Sequence, residues 1–345
     1  MNASYVLDGE SSVVVSSGKS AAVFTQISAG DAVTHFVDGF RFALLGGSTI
    51  HVTAATDVQL LAWNLAGTAS SLAVNDFTVT VDGGSVINVT GSANTACVLC
   101  FIAPSAQLVA SVILNNVNVT ISGGSAVSLN ASTEAQFVSV YAKGAATAGA
   151  PAIQLTNVTV DITSGSTIDA RAVVFVRVVA ARTTAVQGRA VAAMINVCWT
   201  IHGNGTRANA SAASAEVMSI SVAGSTNGVS LSCHDLHVTI SGGAKVNATA
   251  TSNFVRVASV SLPNSRADVA LINVSFSLRQ RSELRFWAPL GVITALGVLN
   301  DPAATAVNLT VRAFEATVDA SDLLGTLFVT GCVGGLFVSG QIVNV

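Results

Sequence analysis

The stretch Asn115–Ser132, "NNVNVTISGGSAVSLNAS", alternates apolar and small polar residues on both sides of a Gly-Gly pair. Val117, Val119 and Ile121 take every second position, with Asn118 and Thr120 between them. Successive side chains of a strand point to opposite faces, so this spacing buries one face and turns the other to solvent. A helix does not produce such alternation. At Gly123-Gly124 positive φ carries no Cβ penalty, which places a tight turn there. A second alternating run, Ser125–Ala131, follows it.

Nearly the same phrase occurs upstream as "FTVTVDGGSVINVT", Phe77–Thr90, and the match extends along most of the chain. One column of equivalent positions holds Phe42, Val79, Val119, Val160, Trp199, Val238 and Phe276, spaced 37 to 41 residues apart. Two places on stand Leu44, Val81, Ile121, Ile162, Ile201, Ile240 and Leu278. Between these apolar columns lies a mostly small, polar one: Ala43, Thr80, Thr120, Asp161, Thr200, Thr239 and Ser277. Each unit adds a third alternating strand, as in Phe137–Tyr141, Phe175–Val178, Val217–Val222 and Phe254–Val257.

Three strands per unit close one coil, and stacked coils set each strand about 4.8 Å from its counterpart. Like residues then form ladders. The expected fold is all-β: a parallel β-helix, or β-solenoid, right-handed as such crossovers are, with eight to nine coils of about 39 residues in a rod roughly 40 Å long. A propeller shares the period but needs four strands per blade, and three are evident. Residues 1–345 read as a single solenoid domain, with looser coils at 1–40 and 305–345.

Composition narrows the function classes. Hydrophobic residues make up 51% and charged residues 10%, against a usual charged share of about 25%, which speaks against disorder. The 15 Lys+Arg are scattered and the net charge is −3, so no basic face is expected for nucleic acid. Phe286–Leu299 and Leu323–Val338 are too short or too broken by Gly and Thr for the roughly 20 residues of a spanning helix. The start, "MNASYVLDGESS", lacks the basic and apolar regions of a secretory signal.

N-x-[ST] triplets nevertheless begin at Asn2, Asn88, Asn118, Asn130, Asn157, Asn204, Asn209, Asn247, Asn273 and Asn308. They are candidate N-glycosylation acceptors and point outside the cell. To reconcile this with the missing signal, we expect the chain to be a piece of a longer surface protein, touching a membrane only through segments outside it.

Other motifs carry less. The five Cys are too few and irregular for a disulfide framework. Cys97 and Cys100, three apart on a strand, are expected on opposite faces as ordinary thiols. Cys198 and His202 on one coil neighbour Cys233, His234 and His237 on the next, with Cys198 beside His237 on the outer face; such a pair needs no zinc, and no metal site is expected. Asp82, Asp161 and Asp169 fall at different register positions, and no carboxylate pair is expected to converge on a sugar linkage. Arg177 and Arg256 share an outward column two coils apart. The Gly-Gly turns precede no helix, so they are no phosphate cradle. No catalytic residue and no cofactor follows.

The pattern "NVTVTI-SGGS-x-V-x-L-NAS-x-x-A-x-FVSV" resembles the Ser/Thr/Val-rich surface proteins of kinetoplastid protists, especially the dispersed gene family of membrane-associated proteins. The resemblance runs from Phe42 to about Val329 and rests on repeat style. It implies a β-helix ectodomain of a large glycosylated surface molecule, anchored near its carboxyl end. The expected role is structural and adhesive, with extracellular glycans or proteins of host, prey or matrix as partners. The alternative is a polysaccharide lyase or hydrolase on the same scaffold.

The register is testable by substitution. Trp199→Ala should cost about 3–5 kcal/mol in denaturant unfolding, as a large interior side chain does, and Thr200→Ser should be nearly silent. Reversed costs would show the assignment to be off by one residue.

Overall fold

The computed structural model describes residues 3–92, 94–104, 110–144, 151–186, 188–224, 228–252, 254–262, 266–280, 282–287, 292–300, 306–311, 314–318, 332–333 and 336–337. Its described elements are all β-strands. One coil shows the plan: the strand Ala110–Ile121, the Gly123-Gly124 turn, the strand Ala126–Ala131, and the strand Glu134–Gly144. Pairing between coils is parallel and follows the repeat register. Val119 pairs with Val160, Val160 with Trp199, and Trp199 with Val238. The second strands form an eight-stranded sheet, from Ser12–Ser17 to Glu283–Trp287. First and third strands share a nineteen-stranded sheet. Near the amino end Ala21–Asp38 and Val58–Val81 run from one coil into the next without a break, which joins them.

The solenoid and its spacing of about 39 residues are as expected, but the coil count is not. About six closed turns run from the strand Phe40–Leu44 to the strand Phe254–Leu262, rather than eight to nine. Among the described residues the coil before them pairs on one side, and Tyr5, Val14, Phe24 and Ile27 are exposed. After them come Arg266–Leu278, Glu283–Trp287 and Val292–Asn300. Most of the looser coil at 305–345 lies outside the described residues.

Both apolar columns are fully buried, from Phe42 to Phe276 and from Leu44 to Leu278. Each such side chain contributes about 1.5–3 kcal/mol on leaving water, and stacking repeats this gain at every turn. In the first coils aromatics fill the interior. Phe40 stacks on Phe77 at 4.9 Å and Trp63 on Phe101 at 5.4 Å between centroids. The column between the apolar ones is less wet than expected. Thr80, Thr120, Asp161, Thr200 and Thr239 are half-buried, and Ala43 and Ser277 are buried. Adjacent rungs lie close enough to cover each other's flanks.

A corner that the alternation of apolar residues does not reveal bends the first strands. Asp76, Asn116, Asn157, Asn196, Asp235 and Asn273 all adopt φ of 49° to 55°, a left-handed conformation that Asn and Asp tolerate best among residues with a side chain. Their side chains form a ladder. Asn116 Nδ2 donates to Asp76 Oδ1 at 3.0 Å, Asn157 Nδ2 to Asn116 Oδ1 at 2.9 Å, and Asn196 Nδ2 to Asn157 Oδ1 at 2.9 Å.

The Gly-Gly turns stack too. Gly123 and Gly124 have φ of 62° and 72°, and Ser125 N–H closes the turn on Ser122 O at 3.1 Å. A Cβ on Gly123 would meet Asp82 Oδ1 and would lie 2.6 Å from the Gly83 nitrogen of the coil below, whereas one on Gly124 meets nothing within 4 Å. Both substitutions strain the backbone alike. Gly123→Ala should therefore cost about 1–3 kcal/mol more than Gly124→Ala in urea unfolding, and equal costs would mean that successive turns do not pack on one another.

Candidate functional site

The candidate acceptor asparagines divide by what their amides do. Asn118, Asn130 and Asn204 are exposed. Thr120 donates its hydroxyl to Asn118 Oδ1 at 3.3 Å, and Thr90 does the same for half-buried Asn88 at 3.4 Å, and neither Nδ2 has a hydrogen-bond partner among the described residues. Asn204 sits in the turn between Gly203 and Gly205. Asn157 and Asn273 belong instead to the corner ladder, where Asn273 Nδ2 donates to Asp235 Oδ1. Asn247 Nδ2 donates to Asn209 Oδ1 at 2.8 Å on the outer face of the second strands. Asn2 lies outside the described residues. So does the side chain of Asn308, whose backbone pairs with Asp268.

Cys198 pairs in register with His237, as the sequence implied. Each is otherwise engaged: Cys198 Sγ lies 3.6 Å from Thr200 Oγ1, and His237 Nδ1 lies 2.8 Å from Ser275 Oγ. Cys233 faces the core, and burial pushes its thiol up to about 12. Among the described residues no three His, Cys, Asp or Glu are grouped to hold a metal ion.

The third strands carry an arrangement that alternation alone does not predict. Leu60, Val98, Phe137, Val178 and Val217 drop out of the pairing register, and each is buried. There the strand bends so that two consecutive residues, such as Phe137 and Val138, both face the core. The residues flanking them, Gln136 and Ser139, then both face outward and converge. A crease results along the outside of the rod, deep enough to bury Gln136, Ser139, Arg177, Glu216 and Ser219.

Cys97 and Cys100 occupy these converging columns and form a disulfide, with Cα atoms 6.3 Å apart. This corrects the expectation of ordinary thiols on opposite faces, which assumed a straight strand. With Ala62 and Ile102 they make a small apolar cluster separate from the core.

Further along, the crease is charged. Arg177, only 2% exposed, donates from Nη1 to Glu134 Oε2 at 2.9 Å and from Nε to Glu216 Oε2 at 3.3 Å. Arg256 Nη1 donates to Glu216 Oε1 at 3.1 Å, and Ser219 Oγ to Glu216 Oε2 at 3.1 Å. The expectation that no two carboxylates converge is thereby corrected: Glu134 and Glu216, from different coils, meet on Arg177. The Asp residues do stay apart. Asp82 accepts from Ser122 Oγ in the turn, and Asp169 pairs with Arg171 at 2.9 Å on the second strand. Charges taken so far from water persist when paired and hydrogen-bonded, so the crease is a structural seam as well as a surface.

Arg182 lies in the next outward column of the crease, 5.3 Å over the Tyr141 ring. It has no hydrogen-bond or ion-pair partner among the described residues. Burial, reinforced by the charge of Arg177, holds its guanidinium below the usual arginine value, with Glu216, Tyr141 and Glu134 opposing.

Asp161 is the misfit of its Thr column, standing between Thr120 and Thr200. Its Oδ1 is buried without a partner. Burial raises its carboxyl above the ordinary 3.8, and His202 opposes this. A raised folded pKa means stability that is full below the unfolded pKa and is lost as pH climbs through the folded one. Asp161→Thr should therefore raise Tm at pH 7, with the gain shrinking toward pH 3; a gain independent of pH would show that the carboxylate costs nothing there.

Comparison with protein-family models, curated proteins and solved structures finds no match to this chain.

Proposed function

We propose that this chain is part of a cell-surface ectodomain with a structural and adhesive role, displaying its ladders of Thr, Ser and Asn to glycans or proteins of host, prey or matrix. The observation that carries the reading is the placement of the acceptor triplets. The eight asparagines with described side chains, Asn88, Asn118, Asn130, Asn157, Asn204, Asn209, Asn247 and Asn273, are exposed or half-exposed on outer faces. A glycan on Asn118, Asn130 or Asn204 would leave core and ladders untouched.

The Cys97–Cys100 disulfide supports the same reading, since such bonds persist where the surroundings are oxidising. A parallel stack with in-register outer columns also suits adhesion, because it repeats one chemical surface along its length. The likeness in repeat style to kinetoplastid surface proteins points the same way.

An antibody against this chain should stain intact cells that make the protein, and glycosidase treatment should shorten its apparent mass while mass spectrometry places glycans on Asn118, Asn130 or Asn204. Staining that appears only after permeabilisation, with unmodified asparagines, would contradict the proposal.

A further inference from the structure

We infer that the crease around Arg182 is a binding site for the carboxylate of an acidic sugar, a uronate unit within an extended polysaccharide. Tyr141, Arg182 and Ser221 follow one another in a single outward column on three consecutive coils. All three are half-buried. The Tyr141 hydroxyl, the Arg182 guanidinium and the Ser221 hydroxyl make no hydrogen bond to protein among the described residues. The inference deepens the adhesive reading and rests on it for its biological setting, while the site itself is argued from side chains alone.

The charges of the crease are unequal in their commitments. Arg177 is held between Glu134 and Glu216, and Arg256 pairs with Glu216. Arg182 is held by none of them, so its charge is left for a ligand. Beside it the floor of the crease is Ser139, Ala180 and Ser219, all buried, so a ligand would lie on the half-buried Tyr141–Arg182–Ser221 column rather than on this floor. Lys143, exposed, stands one outward column over on the Tyr141 coil and pairs in register with Thr184, so a second cation flanks the same stretch.

A guanidinium presents parallel N–H donors that match the two oxygens of a carboxylate. A partly desolvated crease strengthens that pairing over what open water allows. The hydroxyls on either side of Arg182 suit the hydroxyls of a sugar ring. The crease also runs along the coil axis with one outward position about every 4.8 Å, so an extended polymer can lie along it with one acidic unit at Arg182. A peptide carboxylate would use Arg182 and leave the hydroxyl track unused.

The test is calorimetric titration of the full chain with tetragalacturonate and with its methyl ester, which keeps the ring hydroxyls and loses the charge. The free acid should bind about tenfold or more tightly than the ester, the discrimination expected from one charge-assisted pair. Arg182→Gln should weaken the acid to a similar degree with Tm unchanged, and Arg182→Lys should restore part of it. Equal binding of acid and ester, no binding of the acid, or full binding by Arg182→Gln would overturn the inference. So would dextran sulfate, which has no uronate, or a glutamate peptide binding as tightly as the uronate. Internal staining in cells alongside Arg182-dependent uronate binding would sink the surface reading and leave this site standing.

Discussion

A parallel backbone ladder fixes one distance between each coil and the next, about 4.8 Å, and the rest of the molecule is a consequence of accepting it. Once Val119 must lie beside Val160 and Val160 beside Trp199, every position inherits a neighbour of equivalent register. Apolar columns fuse into one core, polar ones into hydrogen-bonded ladders, and turn glycines stack where a Cβ could not. A residue unlike its column then stands out chemically. Asp161 among threonines and Arg182 between a tyrosine and a serine are conspicuous for that reason.

The same constraint explains how polar chemistry concentrates on the outside of the rod. With the interior filled, the described charged groups reach one another along columns or across neighbouring ones. Where the third strand is straight, outward side chains stand apart. Where it bends, at Phe137 and its equivalents, two columns meet and screen each other from water. The disulfide of Cys97 and Cys100 and the Glu134–Arg177–Glu216–Arg256 chain are two fillings of that crease, apolar toward the amino end and ionic toward the carboxyl end.

Much of this was legible beforehand. Alternation and period placed Phe42, Val79, Val119, Val160, Trp199, Val238 and Phe276 in the core without error, because burial of one strand face leaves a strong period of two. What alternation hides are its interruptions. The pairs Leu60-Leu61, Val98-Leu99, Phe137-Val138, Val178-Val179 and Val217-Met218 break the pattern at one register, and read as a bend they bring Cys97 to Cys100 and Arg177 to Glu216. The corner Asn and Asp residues are equally periodic, but a left-handed φ leaves little mark in a sequence beyond the Asn or Asp itself. The coil count falls below the repeat count partly because most of the looser coil at 305–345 lies outside the described residues.

Stacking of like on like is most directly tested by pulsed electron resonance between spin labels at Thr80 and Thr239, in a background with Cys198, Cys233 and Cys332 replaced. These positions belong to one outward column and are four coils apart, so the account predicts a separation near 19 Å between their backbones, shortening by about 4.8 Å for each coil removed when the second label moves to Thr200 and then to position 161. Distances that do not change in equal steps along Thr239, Thr200 and Asp161 would contradict it.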